Sequence, residues 1–185
     1  DELAEDLENE LADIRSQMKA AAAKITKKRR DAARTLEKKV TEELAFLDMD
    51  KVRFHIEVTP LPDFAATGAD KIGFLVSTNP GEPLLPLSKI ASGGELSRMM
   101  LALKCAFADK ERTGTLIFDE IDTGISGRTS HKIGVKLHEV AENGTQVICV
   151  THSPQIAAVA DTHLFVSKTE SDGRTESAVR ELTPQ

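Results

Sequence analysis

Apolar and small side chains recur at Leu7, Leu11, Ile14, Met18, Ala21, Ile25 and Ala32, with gaps that alternate between 4 and 3 and with Lys28 at the one seam position they skip. This is the heptad spacing of a helix that buries one narrow stripe against another helix. Residues 1–47 contain no Gly and no Pro and are dominated by Ala, Leu, Glu and Lys, so the pattern predicts one long helix. After Ala32 the positions Leu36, Val40 and Leu44 follow at gaps of 4, with Leu47 behind them. Such a stutter locally unwinds a supercoil and lets the helix turn onto a globular body. The seam is one helix wide and calls for a partner, either another chain or another segment of the parent protein.

From residue 51 the period changes to 2. Val52, Phe54, Ile56 and Val58 share one face of a predicted strand that Pro60 and Pro62 are expected to stop. A second strand is predicted over 72–78, antiparallel to the first and ended by the turn signal Asn79-Pro80-Gly81. Helix periodicity returns at Leu96, Met99, Met100, Leu103 and Phe107, and Thr115–Phe118 reads as a buried strand. Ile133, Leu137, Val140 and Ala141 then mark a helix, and residues 146–150 a second buried strand. Ser153-Pro154 gives a helix start with Ser as N-cap and Pro at N1, followed by a strand over 163–167. Alternating strand and helix predict an α/β fold, a parallel-sheet core with flanking helices behind a long coiled-coil helix. The expected domains are an arm, 1–47, and a lobe, 48–185.

Size and charge narrow this picture only a little. At 185 residues, with 40% hydrophobic residues and no Trp or Tyr, the chain has an aliphatic core to bury. The absence of a long apolar run and the acidic start lead us to expect neither membrane spanning nor secretion. Cys105 and Cys149 stand singly in apolar stretches and read as buried thiols of a reducing cytoplasm. A net charge of -6 argues against non-specific coating of DNA by the whole surface. The distribution is uneven, however: residues 1–13 carry seven acids and no base, whereas residues 24–39 hold eight bases against Asp31 and Glu37. That block is either a solvated coiled-coil face or a contact for a phosphate backbone. No aromatic platform for nucleic acid is evident in the sequence.

Three short motifs carry candidate chemistry. Ser92-Gly93-Gly94-Glu95 precedes an amphipathic helix, where glycines permit close backbone approach and the helix N-terminus directs free N–H groups toward an anion. Asp119-Glu120 ends a buried strand, at the sheet edge where α/β proteins bind ligands. One such acid can hold Mg²⁺ while the next orients and activates a water for attack on phosphorus. His152 follows the next buried strand, within reach of a γ-phosphate. Each motif alone also has a plain structural reading, as a capped helix, a pair of surface acids and a loop histidine. His55, His131, His138 and His163 have no convergent ligand partners and read as surface or packing residues.

Order and spacing make the three stronger together, with about 25 residues from glycines to acids and about 32 more to His152. SGGE, TLIFDEID and THS resemble the signature motif, Walker B strand and histidine switch of ATP-binding-cassette ATPases. More narrowly, LSKIASGGELSRMMLALKCAFADK, TLIFDEIDTGISGRTS and THSPQIAAVAD are similar to the SMC-like bacterial DNA repair ATPases, over roughly residues 30–182. The resemblance implies the C-terminal lobe of an ABC/SMC-type P-loop NTPase head. It implies that Asp119 supports Mg²⁺, Glu120 is the general base and His152 senses the γ-phosphate. Ser92, Gly93 and Gly94 would contact ATP bound to an opposing head, and Glu95 and Asp122 would also belong to the nucleotide-binding residues.

The same resemblance implies three partners: an N-terminal P-loop lobe of the same protein, a second head in a homodimer, and DNA. It also implies a cytoplasmic, nucleoid-associated place in a bacterium, with no membrane. Two features depart from the family pattern. No G-x-x-x-x-G-K-[ST] occurs in these 185 residues, so the phosphate-cradling loop is expected in the other lobe. The segment after the Walker B strand offers Ser126 where the usual pattern has Asp. The competing readings are a different SMC-like protein or cassette ATPase subunit, and a coiled-coil scaffold without turnover.

Overall fold

The computed structural model describes residues 2–90, 92–107, 113–125, 127–171 and 174–183; Ser126 lies outside them. The chain divides into two compact units, Asp1–Ile90 and Ala91–Gln185.

In the first unit α1 (Glu2–Phe46) runs as one helix of 45 residues, about 67 Å at ~1.5 Å per residue. It packs on an antiparallel hairpin of β1 (Arg53–Ala65) and β2 (Gly68–Ser77). A two-residue β3 (Leu85–Pro86) adds to β2 and leads into a 3-10 turn over Leu87–Lys89. The core holds Val40, Leu44 and Leu47 from the helix end with Phe54, Ile56 and Val76 from the hairpin. Phe54 and Phe74 stack diagonally across the strands, ring centroids 6.0 Å apart. The predicted turn is present: Gly81 has φ 88 and the Glu82 N–H donates to the Asn79 carbonyl at 3.3 Å, a type II turn with Pro80 at its first corner.

The helix uses two different faces. Leu7, Leu11, Ile14, Met18 and Ile25 of the heptad seam are exposed. The stripe buried on the hairpin instead runs through Ala22, Ala33, Val40 and Leu44, about 100° around the helix from Ala21 and Ala32. Polar ties fix this packing. The Arg29 guanidinium donates to the Thr67 carbonyl at 2.6 Å and to Asp70 at 3.3 Å, and the Thr26 hydroxyl lies 2.8 Å from the same carboxylate. Glu37 accepts the Ile56 N–H at 2.7 Å and lies 2.7 Å from His55 Nδ1, which covers the outer edge of β1.

The strand predicted to stop at Pro60 continues to Ala65. β1 is an edge strand, where a residue without an N–H is tolerated; Pro60 pairs with Asp70 and the register shifts before Ala65.

In the second unit α2 (Gly93–Phe107) precedes β4 (Thr115–Phe118), then α3 (Gly127–Glu142) leads to β5 (Gln146–Cys149). β4 and β5 pair in parallel, as expected. Two expectations here are corrected. Met100 points outward on α2, whereas Leu101 and Ala102 are fully buried. The apolar run at 163–167 is not a further parallel strand: β6 (His163–Ser171) pairs antiparallel with β7 (Arg174–Leu182), a polar strand that strand patterning does not reveal. Ser171 pairs with Arg174, so β6 has a partner close by in sequence. Before them the one-turn helix α4 (Pro154–Ala157) has Ser153 at its N-cap position and Pro at N1. The Ser153 hydroxyl donates to Gln155 at 2.9 Å instead of capping.

Candidate functional site

The start of α2 sits on the loop that follows β4. Ser92 precedes the helix: its carbonyl accepts the Leu96 N–H at 3.0 Å and its hydroxyl oxygen faces the Glu95 N–H at 3.4 Å. Gly93 and Gly94 form the first turn, whose N–H groups have no partner within the helix. Both glycines are needed for close packing. A Cβ on Gly93 would run into the Glu120 carboxylate, and one on Gly94 would lie 3.0 Å from the Glu120 carbonyl and 3.2 Å from Thr123 Cβ.

The next turn of α2 holds the same loop from the side. The Ser97 hydroxyl donates to the Asp119 carbonyl at 2.8 Å. Buried Arg98 donates to the Ile121 and Thr123 carbonyls at 3.1 and 3.0 Å. Burial lowers the Arg98 pKa from its ordinary value, and the Glu95 carboxylate opposes that shift. Glu120 adopts φ 56, a left-handed backbone uncommon for a residue with a side chain. The turn that fixes it is closed by the Thr123 N–H on the Glu120 carbonyl at 3.1 Å, and Asp119 Oδ1 accepts the Glu120 N–H at 2.9 Å. Gly124 follows with φ 73, which requires glycine's freedom.

Asp122 joins this loop to the one after β5. Its Oδ2 accepts the Thr151 hydroxyl at 2.5 Å and the N–H groups of His152 and Ser153 at 3.0 and 3.1 Å. Burial opposes its ionisation, yet the bonds from Thr151 and His152 hold its pKa below the ordinary carboxylate value. His152 Nδ1 lies 3.3 Å from the same oxygen while the His152 side chain is 85% exposed. At the end of β5, burial and the negative charges of Asp122 and Asp119 push the Cys149 thiol up to about 11.

Thus Ser92, Gly93 and Gly94 gather with Asp119 and Glu120, while Asp122 binds the His152 loop; all lie beyond the carboxyl ends of adjacent parallel strands. Among the described residues only Oδ1 of the Asp119 carboxylate accepts a hydrogen bond, and the other oxygen suits a cation that takes one carboxylate and completes its shell with water and phosphate. Among the described residues no three His, Cys, Asp or Glu side chains group for a metal. Sequence reasoning missed Ser97, Arg98 and Thr151. The signal for Arg98 was a cation at helical spacing within an apolar face, next to Met99 and Leu101.

No family model matches the chain. It is 42% identical over 186 residues to the DNA repair protein RecN of Halalkalibacterium halodurans, an alignment covering 98% of this chain and 33% of the relative. The RecN of Vibrio cholerae is 46% identical over 164 residues, covering 88% of this chain and 29% of the relative. The chain is a homologue of the C-terminal part of RecN. It spans about a third of the length of the RecN relatives it matches.

Among solved structures, the Smc head domain with a coiled coil and joint from Pyrococcus yayanosii aligns with TM-score 0.55 and 20% identity, covering 81% of this chain and 27% of that one. The Pyrococcus furiosus Smc head domain with an extended coiled coil, bound to the C-terminal domain of ScpA, gives TM-score 0.52 and 18% identity over 80% of this chain and 35% of that one. The fold of this RecN homologue is therefore that of an SMC head.

Proposed function

We propose that this chain is the C-terminal lobe of an ATP-hydrolysing, RecN-like head acting in DNA double-strand break repair, with residues 1–47 the returning helix of a coiled-coil arm and 48–185 the lobe. The observation that carries this reading is the packing of the Gly93-Gly94 turn on the Asp119–Thr123 loop, which Asp122 in turn locks to His152. Three loops of a phosphate-handling edge are thereby held in one arrangement before any ligand arrives.

The reaction is ATP plus water to ADP and phosphate. Bound Mg²⁺ would take one Asp119 oxygen and offset charge on the phosphate oxygens. The exposed Glu120 carboxylate accepts the proton of the attacking water; an exposed side chain reorients from its contact with Gly93 in picoseconds to nanoseconds. His152, steadied through Asp122, presents its outer ring nitrogen to the γ-phosphate, and the N–H groups of Gly93 and Gly94 face the phosphate held by an opposing head. The P-loop lobe belongs to the part of the protein outside this chain, the second head is another copy, and the assembly works on DNA in the bacterial cytoplasm at the nucleoid. No described helix is long and apolar enough to cross a membrane.

The test is steady-state ATP hydrolysis by the full-length protein across a range of protein concentrations, with a Glu120→Gln variant. Turnover rising faster than linearly with concentration, and falling at least 100-fold in the variant while ATP binding persists, is expected of a composite site with a general base. Unchanged turnover in Glu120→Gln removes that role, and absence of any turnover supports the scaffold reading.

A further inference from the structure

A groove of about 570 Å³ lies between α1 and the far end of the β1–β2 hairpin, well away in sequence from the loops described above. Lys19, Lys27, Arg30 and Arg34 rim it from the helix, and Leu61 and Phe64 line it from β1. The four bases fall at spacings of 8, 3 and 4, so they share one face, a rail about 22 Å long at ~1.5 Å per residue. All four are exposed, and among the described residues none has a carboxylate within 4.0 Å. The two acids in the lining differ in kind. Asp70 is already matched by Thr26 and Arg29, which leaves Asp31 as the only lining acid without an ion pair among the described residues.

The packing also sorts the basic block that the sequence leaves undivided. Arg29 is spent on Thr67 and Asp70 and belongs to the fold, whereas Lys27 and Arg30 on either side of it remain available. Phe64 stands 43% exposed at this rail, although it lies 30 residues beyond Arg34 in sequence. A row of exposed cations that outnumber the one unpaired acid among them, beside an accessible aromatic ring, is the arrangement that tracks a phosphodiester backbone while a base stacks on the ring. A stacked duplex keeps its bases out of such a groove, so the ring favours an unpaired strand.

We propose that this groove binds a single-stranded nucleic-acid segment, its phosphates along Lys19, Lys27, Arg30 and Arg34 and one base on Phe64. The proposal rests on the DNA-repair reading above and adds the place of contact, at the base of the arm.

The experiment measures binding of full-length protein to a fluorescein-labelled oligo-dT and to a duplex of equal length, from low to moderate salt. Lys27→Gln/Arg30→Gln/Arg34→Gln is expected to flatten the slope of log affinity against log salt by about 2 for the single strand, at ~0.7 for each phosphate no longer neutralised. Phe64→Ala is expected to weaken oligo-dT binding about ten-fold or more with the slope unchanged. The control Lys24→Gln/Lys28→Gln/Lys38→Gln removes equal charge from the rest of the helix and should leave the slope close to wild type. Retained ATP turnover and melting temperature show that each variant is folded. Equal effects of the two triple variants, or a Phe64→Ala protein that binds oligo-dT as wild type does, overturn the groove assignment while the DNA role stands. A wild type that prefers duplex, with Phe64 irrelevant, overturns the single-strand occupant. A wild type that binds neither probe removes the DNA reading itself, and this proposal with it.

Discussion

At Asp122 a carboxylate with 3% of its side chain exposed accepts hydrogen bonds from the Thr151 hydroxyl and two consecutive backbone N–H groups. Asp122→Ala strands those buried donors and should lower the unfolding free energy by about 1–3 kcal/mol. The pH dependence has a definite sign. Because the folded-state pKa lies below the ordinary value of 3.8, the stabilisation is complete above that value and is lost as pH falls through the lower, folded one. Melting curves between about pH 5 and pH 2 should therefore fall more steeply for wild type than for Asp122→Asn. Cys149 behaves oppositely in its chemistry. With its pKa at about 11 instead of 9.0, its thiolate fraction at pH 8 is about 100-fold below that of an ordinary thiol. Iodoacetamide labelling followed by peptide mass spectrometry should show Cys149 reacting appreciably only above about pH 10.

The long helix does different things along its length. Val40, Leu44 and Leu47 are each only 1% exposed, so Leu44→Ala should cost about 2–5 kcal/mol in unfolding free energy. Leu11 lies on the open seam, and Leu11→Ala should change the stability of this chain by less than about 0.5 kcal/mol. Denaturant titration of the two variants measures the contrast, and equal destabilisation would mean that the seam is buried within this chain. At α2 the decisive positions are the glycines. Gly94→Ala forces a Cβ against the Glu120 carbonyl, which is backbone and cannot swing away, so about 1–3 kcal/mol of strain is expected.

Across the molecule, apolar surface remains open on several strands, β4 and β5 among them, which the sequence marks for burial. Ile117 and Ile148 face each other in register across β4 and β5 yet are 68% and 41% exposed, and Val150 just beyond is 57% exposed. Leu164, Val166 and Val179 lie on one open face of the β6–β7 hairpin. Exposed apolar area of this kind marks a surface that another layer covers. If the P-loop lobe is that layer, adding it should slow amide hydrogen exchange over 115–118 and 146–150 and reduce binding of a hydrophobic dye such as ANS. Exchange unchanged by the added lobe would place its docking surface elsewhere.

Much of this was legible from local chemistry. Heptad spacing and the lack of Gly and Pro determined α1, period-2 alternation determined β1 with its partner β2, and apolar runs determined β4 and β5, because each signal is a repeat carried by neighbouring residues. The residue types and spacing at 92–95, 119–120 and 152 were likewise visible without the fold, because they are local, whereas which of these positions pack together was not. Only tertiary structure decided which face of α1 meets the hairpin and that Arg29 braces Asp70 while Lys27 and Arg30 stay open. It alone brought Phe64 to the basic rail and gave Asp122 three donors from a loop some 30 residues away. Those facts depend on contacts between segments distant in sequence. No local pattern records them, since the same side chain can face solvent or partner until the packing of the other element is known.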